Sequence, residues 1–466
     1  MTNTQKFDVV VLGAGPGGYV AAIRLAQLGK QVALIEEKYW GGVCLNVGCI
    51  PTKALLKNAE IAYLLRNDRQ LFGIDGEVQI SYRAAFERSR QVSEGRVKGI
   101  HYLTKKNGIT EFEGRGEFRS ANSILVQTGS DKALIEFDYA IIATGASVRG
   151  LPGIQFNERV VDYEQQILET ELPRSIAIVG AGPIGVEFSY LMSAYGTEVT
   201  LIEAQERILP LEEAETSKEI ARELKKKKIQ VLTSSTVSEI QQGDLLRVSV
   251  KGEAGEEQTV EVEKVMIAIG FVANVTGFGL EALGVELTAK GNIEVNEQLR
   301  TNVPHVFAIG DVTGKLQLAH VAEAQGLVAA EAIAGLNPAG LSDYRQMPRA
   351  IFTNPQVASF GPTEEQARAE GRELLISKFS MVANGKAHAV ATPSGFVKLI
   401  ADAQTRKLLA AHIVSADAAE LIAELTLGSH AGLTIDQLNH NVHIHPTLSE
   451  GVQEAIHGLV GEMINA

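Results

Sequence analysis

A strand, a glycine-rich turn, a helix and a second strand occur twice in this chain of 466 residues, and the stretch beyond residue 346 carries no such turn. These observations predict an α/β protein with two Rossmann-like dinucleotide-binding domains plus a C-terminal α+β domain. The first copy, FDVVVLGAGPGGYVAAIRLAQLGKQVALIE, spans residues 7–36, and the second, SIAIVGAGPIGVEFSYLMSAYGTEVTLIE, spans 175–203. In each, a continuous apolar run reads as a buried strand, a helix closes on glycine, and a second apolar run ends in glutamate. The interval from first glycine to glutamate is 23 positions in both copies, Gly13 to Glu36 and Gly180 to Glu203.

The other elements follow in order. GGVCLNVGCIPTK at 41–53 leads into CIPTKALLKNAEIAYLL, whose apolar spacing predicts a helix with Pro51 in its first turn. DYAIIATGA at 138–146 returns to complete the first unit, and RGLPG at 149–153 reads as a linker. KVMIAIGF at 264–271 completes the second unit in the same way, and a third such segment, HVFAIGD at 305–311, comes after both. The expected domains are therefore 1–150 and 151–274 for the two dinucleotides, 275–345 as a central segment completing the first site, and 346–466. In the last, strand-like AIFTNPQVASFG, GFVKLIAD and KLLAAHIV mix with helical ADAAELIAELTLGSHAG and LSEGVQEAIHGLVGEMI.

Charge and composition narrow the function. With 43 basic and 56 acidic residues the net charge is −13, which argues against nucleic acid or an anionic membrane surface as partner. No apolar run approaches the roughly 20 residues that cross a bilayer, and MTNTQKFDVVVLG lacks the pattern of a secretion signal. A cytoplasmic place is expected, where ordinary disulfides stay reduced.

A lone G-x-G-x-x-G is weak, but strand, helix and distant acid accompany Gly13, Gly15 and Gly18 as well as Gly180, Gly182 and Gly185. The first glycine permits the turn, the second lets a pyrophosphate approach the backbone at the helix N-terminus, and the third lets helix and strand pack closely. Glu36 and Glu203 would accept from ribose hydroxyls, and a carboxylate at Glu203 opposes the 2′-phosphate of NADP, which favours NAD.

Cys44 and Cys49 are the chain's only cysteines. On one regular helix, five steps of about 1.5 Å would hold their Cα atoms farther apart than the roughly 7 Å a disulfide permits, so the backbone between them must depart from a helix. A helix start and Lys53 favour a thiolate there. Such a pair is redox-active, metal-binding or inert; zinc usually wants four ligands and no second pair accompanies these, so no metal is expected. Near the end, His445 precedes proline at a probable strand end and Glu450 follows just inside a helix. A carboxylate on one ring nitrogen would orient that imidazole and raise its pKa, making it a base, although a lone histidine is as often structural.

The seven motifs GAGPGG with Glu36, GGVCLNVGCIPTK, ATG at 143–145, GAGPIG with Glu203, AIGD at 308–311, LAHVAEAQG at 318–326 and HPTLSE at 445–450 run the length of the chain. In that order they resemble the FAD- and NAD(P)-dependent disulfide oxidoreductases, above all the branch that oxidises protein-bound dihydrolipoamide. The resemblance implies FAD in the first cradle, with Glu36 on the adenosine ribose, Gly116 near the adenine, Lys53 near the flavin, and Gly145, Asp311 and Ala319 along the rest. It implies NAD in the second, held by Gly180, Gly182, Gly185, Glu203 and Gly270 with Val237 beside the adenine, and Glu187 as partner of Lys53. Cys49 would face the flavin and Cys44 the substrate. His445, steadied by Glu450, would serve the thiols of the other subunit of a homodimer. The implied partners are the lipoyl domains and acyltransferase core of 2-oxo-acid dehydrogenase complexes. Alternatives are another NAD(P)H-linked reductase of small disulfides, or a flavin redox sensor without turnover. Two positions depart from the family pattern: Val43 stands where threonine is common, and GFVAN at 270–274 replaces the more common G-R-x-P-N.

Overall fold

The computed structural model describes residues 3–465, so the first two positions of the expected 1–150 segment and the last of 346–466 lie outside the described residues. The first sheet runs Thr110–Glu113, Val32–Glu36, Asn3–Leu12, Asp131–Ile142, Ser123–Thr128, Arg115–Ser120 in space. Asn3–Leu12 lies parallel to both Val32–Glu36 and Asp131–Ile142. Val306–Ala308 joins parallel beside residues 140–142, so chain from beyond the second copy shares the first sheet and its core. Val9, Val10, Val11, Leu34, Ile35 and Ile141 are fully buried at the centre, the reason these strands read as unbroken apolar runs.

The second sheet, Gln230–Leu232, Glu198–Ile202, Ser175–Val179, Lys264–Ile267, Val160–Val161, is parallel throughout. An antiparallel three-stranded sheet, Thr236–Gln241, Leu246–Lys251 and Glu257–Val262, is inserted between its last two chain segments. The chain passes between the two units through a ribbon, Ala146–Val148 against Phe271–Ala273. Asn274 pins the ribbon: its Nδ2 donates to the Thr144 carbonyl at 3.0 Å and its own carbonyl accepts from Thr144 Oγ1 at 2.7 Å.

The C-terminal sheet is antiparallel in the order Arg349–Ile351, Gln356–Phe360, Leu408–Ser415, Phe396–Asp402, Leu374–Ser380. The run at 350–361 is thus two strands and not one. Helices Ala418–His430 and Glu450–Leu459 pack into the same core. The strand end expected at His445 is not found: residues 441–447 form no strand, because no neighbouring strand of this chain presents its edge there.

A polar row crosses this sheet, with Arg349, Ser359, His412, Lys398 and Lys378 opposite one another from strand to strand. Carboxylates of the second dinucleotide unit descend on it. Glu212 lies 3.4 Å from Arg349 and accepts from Ser359 Oγ at 2.6 Å. The Lys398 ammonium, 2% exposed, lies 3.0 Å from Glu213, 2.8 Å from Glu215 and 2.7 Å from Glu364, while Lys378 pairs with Glu215. Burial alone would lower the Lys398 pKa, yet the three carboxylates outweigh it and hold the pKa above its usual value. Burial likewise opposes, and Lys378 and Lys398 override, the shift that holds Glu215 below the usual carboxylate range.

Removing one partner of such a buried cluster leaves charge unpaired, so Lys398→Met should cost about 3–5 kcal/mol, read as a lowered denaturation midpoint. Because Glu215 and Glu364 are held low, their contribution is present above about pH 4.3 and is lost as pH falls through the lower folded-state values. An acid titration of the midpoint should show Lys398→Met losing a smaller increment than the wild type, since Lys378 and Arg368 still face Glu215 and Glu364.

Candidate active site

Both cradles are built alike. Gly13 has φ +107°, and a Cβ there would lie 2.2 Å from the Ala143 carbonyl oxygen; at Gly180, φ +104°, a Cβ would lie 2.3 Å from that of Ala268. A Cβ on Gly18 would fall 1.9 Å from the Gly13 oxygen, and one on Gly185 the same 1.9 Å from that of Gly180, so the third glycine of each turn is a matter of contact. Gly15 and Gly182 cap the helices Pro16–Gln27 and Pro183–Tyr195 with no side-chain cap and no acid in the first turn. Pro16 and Pro183 carry no N–H, so three backbone N–H groups at each helix start are left for a ligand, and the space beside Gly182 is open to 4 Å. Glu36 Oε2 accepts from the Ala14 N–H at 2.8 Å and Glu203 Oε2 from that of Ala181 at 2.7 Å. Each carboxylate is thus fixed at the mouth of its own turn, and the residues present fit two dinucleotides.

The flanking residues gather around these turns. Gly145 and Gly270, φ +71° and +114°, stand at the two ends of the ribbon with open space on their Cβ side. Gly116 lies in the strand Arg115–Ser120, where a Cβ would meet Leu12 at 2.7 Å. Val237 lies in Thr236–Gln241 of the inserted sheet. Ala319 opens the uncapped helix Ala319–Ile333. The Asp311 carboxyl has no side-chain partner among the described residues, and burial pushes its pKa up to about 6; an acceptor so placed suits a ligand hydroxyl.

The cysteines occupy two helices. Cys44 lies in Gly42–Asn46 and Cys49 begins Cys49–Tyr63, with the break at Val47 and Gly48. A Cβ on Gly48 would stand 2.9 Å from the Val43 carbonyl oxygen, which is how closely the chain folds back to bring the thiols together. Both are free. The neighbouring Cys49 sulfur, with burial, pushes Cys44 up. The neighbouring Cys44 thiol, with Lys53 and a backbone N–H, outweighs burial and holds Cys49 below the usual thiol value. A thiolate is therefore favoured on Cys49, at a helix N-terminus. The motif is stitched to the first cradle: the Gly41 N–H donates to the Ala14 carbonyl at 2.9 Å, and a Cβ on Gly42 would lie 2.7 Å from the Gly15 Cα.

Lys53 Nζ lies 3.1 and 3.2 Å from the Glu187 oxygens and 4.5 Å from the centroid of the Phe352 ring. The Phe352 N–H donates to Glu187 at 2.8 Å. Phe352 carries no local signal in sequence, being one aromatic in a strand-like run. Nor do Asn46, which holds the Trp40 and Gly42 carbonyls at 2.9 Å, and Arg90, which donates to the Asn46 carbonyl at 2.7 Å. His445 stands elsewhere, on the C-terminal domain, with Nδ1 2.8 Å from Glu450 Oε1 and its side chain 80% exposed. Among the described residues no hydrogen bond or ion pair joins it to either thiol.

Two dinucleotide cradles with a dithiol pressed against the first define a nucleotide-dependent thiol–disulfide redox protein. Comparison with known proteins gives the particular family. Residues 7–326 match the family described as pyridine nucleotide-disulphide oxidoreductase, and residues 347–456 match its dimerisation domain. The chain belongs to this family, and its dimerisation domain supports a homodimer. It is 55% identical to the dihydrolipoyl dehydrogenase of Mycobacterium tuberculosis over 98% of this chain and 99% of that one. With the dihydrolipoyl dehydrogenase of Corynebacterium glutamicum it shares 52% identity over 99% and 100%. Among solved structures it is similar to LpdA from Mycobacterium tuberculosis, TM-score 0.89 at 26% identity over 98% and 100% of the two chains. It is also similar to the Escherichia coli flavoprotein disulfide reductase RclA, TM-score 0.86 at 26% identity over 96% and 99%. No helix among the described residues is long and apolar enough to cross a membrane.

Because Lys53 helps hold Cys49 low, Lys53→Met should move Cys49 ionisation toward the ordinary value near 8.5. The ultraviolet thiolate band of the reduced protein, followed against pH in wild type and variant, measures that shift; coincident titrations would show that Lys53 has no such effect.

Proposed function

We infer that this protein oxidises protein-bound dihydrolipoamide and reduces NAD+ to NADH, with FAD in the first cradle and NAD in the second. The observation that carries this is the Cys44–Cys49 pair, brought together by the break at Val47 and Gly48 and held against the first cradle. The substrate follows from relatives named dihydrolipoyl dehydrogenase, 52% to 55% identical over nearly the whole chain.

FAD supplies the two-electron relay between the thiols and NAD+. Glu36 holds its adenosine ribose, with Gly116, Gly145, Asp311 and Ala319 along its length. Gly180, Gly182, Gly185, Gly270 and Val237 bind NAD, and Glu203 selects it over NADP by repelling a 2′-phosphate. In the half-reaction with substrate, Cys44 and Cys49 begin as a disulfide. His445 of one subunit, oriented by Glu450, takes the proton of a substrate thiol, and the thiolate attacks the Cys44 sulfur. The bond to Cys49 breaks, and Cys49 leaves as a thiolate favoured by Lys53 and the helix start. The second substrate thiol displaces Cys44 and gives its proton to the departing Cys44 sulfur, so lipoamide leaves with Cys44 a thiol, Cys49 a thiolate and the first proton still on His445. Glu450 suits its part: burial would raise its pKa, but the Thr447 N–H and His445 hold it below the usual range, so it meets the ring as a carboxylate.

The place proposed for it is the cytoplasm, as a homodimer serving lipoyl domains around the acyltransferase core of a 2-oxo-acid dehydrogenase complex. The likeness to RclA favours as second reading a reductase of another disulfide.

Steady-state rates with dihydrolipoamide, reduced glutathione and reduced thioredoxin, each with NAD+ and NADP+, test the assignment. Dihydrolipoamide with NAD+ should exceed every other pairing by at least about 10²-fold in kcat/KM, a discrimination within the reach of a few specific contacts. A wide preference for glutathione or NADP+ would overturn it. His445→Gln should lower kcat with dihydrolipoamide by about 10²–10⁴-fold, the usual worth of a positioned acid/base group.

A further inference from the structure

His445 is carried by the least supported stretch of the C-terminal domain. Residues 442–447 make no backbone-to-backbone hydrogen bond among the described residues, although they join helix Ile435–Leu438 to helix Glu450–Leu459. Their side chains mostly face solvent: Val442 is 87% and Ile444 78% exposed. His443 is the exception, with its side chain 4% exposed. Its Nε2 lies 2.9 and 3.1 Å from the two oxygens of Glu424, which stands on helix Ala418–His430. Asn441 Nδ2 donates to the same carboxylate at 3.4 Å. His443 Nδ1 is buried without a partner. The proton of the neutral ring therefore belongs on Nε2, facing the carboxylate, and the bare lone pair is left at Nδ1.

On the far side of His445, the Thr447 N–H donates to Glu450 Oε2 at 2.8 Å, Thr447 Oγ1 donates to the Ile444 carbonyl at 2.7 Å, and Asn384 Nδ2 donates to the Thr447 carbonyl at 3.1 Å. The stretch is thus held by side chains at two points with His445 between them. Glu450 touches the reactive ring directly and aims it. Glu424 touches the buried ring two residues earlier and the Asn441 amide, but not His445. In a segment with no ladder of its own, that contact is one of the two within this chain that set where the backbone of His445 stands.

We propose that Glu424, acting through His443, is a positioning residue for His445 in the oxidation of dihydrolipoamide. This rests on the reading that His445 is the acid/base group of that reaction. A misplacement of about 1 Å costs on the order of 10²-fold in rate, so Glu424→Ala should lower kcat with dihydrolipoamide by about 10–100-fold.

The test uses the flavin-loaded dimer and two reactions, dihydrolipoamide with NAD+, and NADH with ferricyanide, an acceptor that draws electrons without a proton from a substrate thiol. Glu424→Ala should lose the first reaction and keep the second. Glu424→Gln, whose side-chain oxygen still accepts from the ring N–H, should recover the first to within about 3-fold. On a His445→Gln background, Glu424→Ala should cost less than about 2-fold more, because residues that act as a unit are not additive. Retention of full kcat in Glu424→Ala, parallel loss of both reactions, or full additivity with His445→Gln would each overturn the proposal. A wild-type protein that reduces ferricyanide but never oxidises dihydrolipoamide would instead remove the functional reading, and this inference with it.

Discussion

The ion pair between Lys53 and Glu187 is the constraint on which the rest of the site depends. Glu187 has a side chain 6% exposed, and a carboxylate so placed is tolerated only when paired and hydrogen-bonded. Standing on the helix behind the second glycine turn, it pairs with Lys53 on the helix that begins with Cys49 and accepts from the Phe352 N–H of the C-terminal domain. One buried charge thus sets how the thiol helix, the second cradle and the C-terminal sheet meet. The same ammonium helps hold the Cys49 thiol low, so the group that joins the domains also tunes the chemistry between them.

The two cradles share their turns, their close contacts and their acid, yet their surroundings differ. Gly42 presses to within van der Waals reach of Gly15, and the cysteine segment roofs the first turn. Nothing stands within 4 Å of the corresponding point at Gly182. A roofed site suits a resident nucleotide and an open one suits a nucleotide that exchanges at each turnover, which fits FAD in the first and NAD in the second. The polar row from Arg349 to Lys378 serves the open unit from below, anchoring it to the C-terminal sheet through Glu212, Glu213 and Glu215.

Much of this was legible in the sequence, for local reasons. Parallel strands buried on both faces must be apolar without interruption, so Val9 to Leu12 and Ile176 to Val179 announce themselves. The distorted backbone between Cys44 and Cys49 followed from helix geometry, and it takes the form of a break at Val47 and Gly48. The expectation of a strand end at His445 failed because His-Pro restricts one residue to extended backbone, whereas a strand also needs a neighbour to pair with. Phe352, Asn46, Arg90 and the polar row left no trace, since each acts on a residue distant in sequence.

By itself, then, the sequence determined the glycine turns, the acids at a fixed interval behind them, the paired thiols and the His445–Glu450 spacing. All are set by backbone sterics, by contacts within a turn or two of chain, or by the fixed length of one strand–helix–strand unit. The pairing of Lys53 with Glu187 was expected only through the family resemblance, and only the tertiary structure decided that Lys398 gathers Glu213, Glu215 and Glu364 and that Glu424 holds His443. A buried charge finds its counter-charge wherever the packed domains bring one, and no local spacing encodes that meeting.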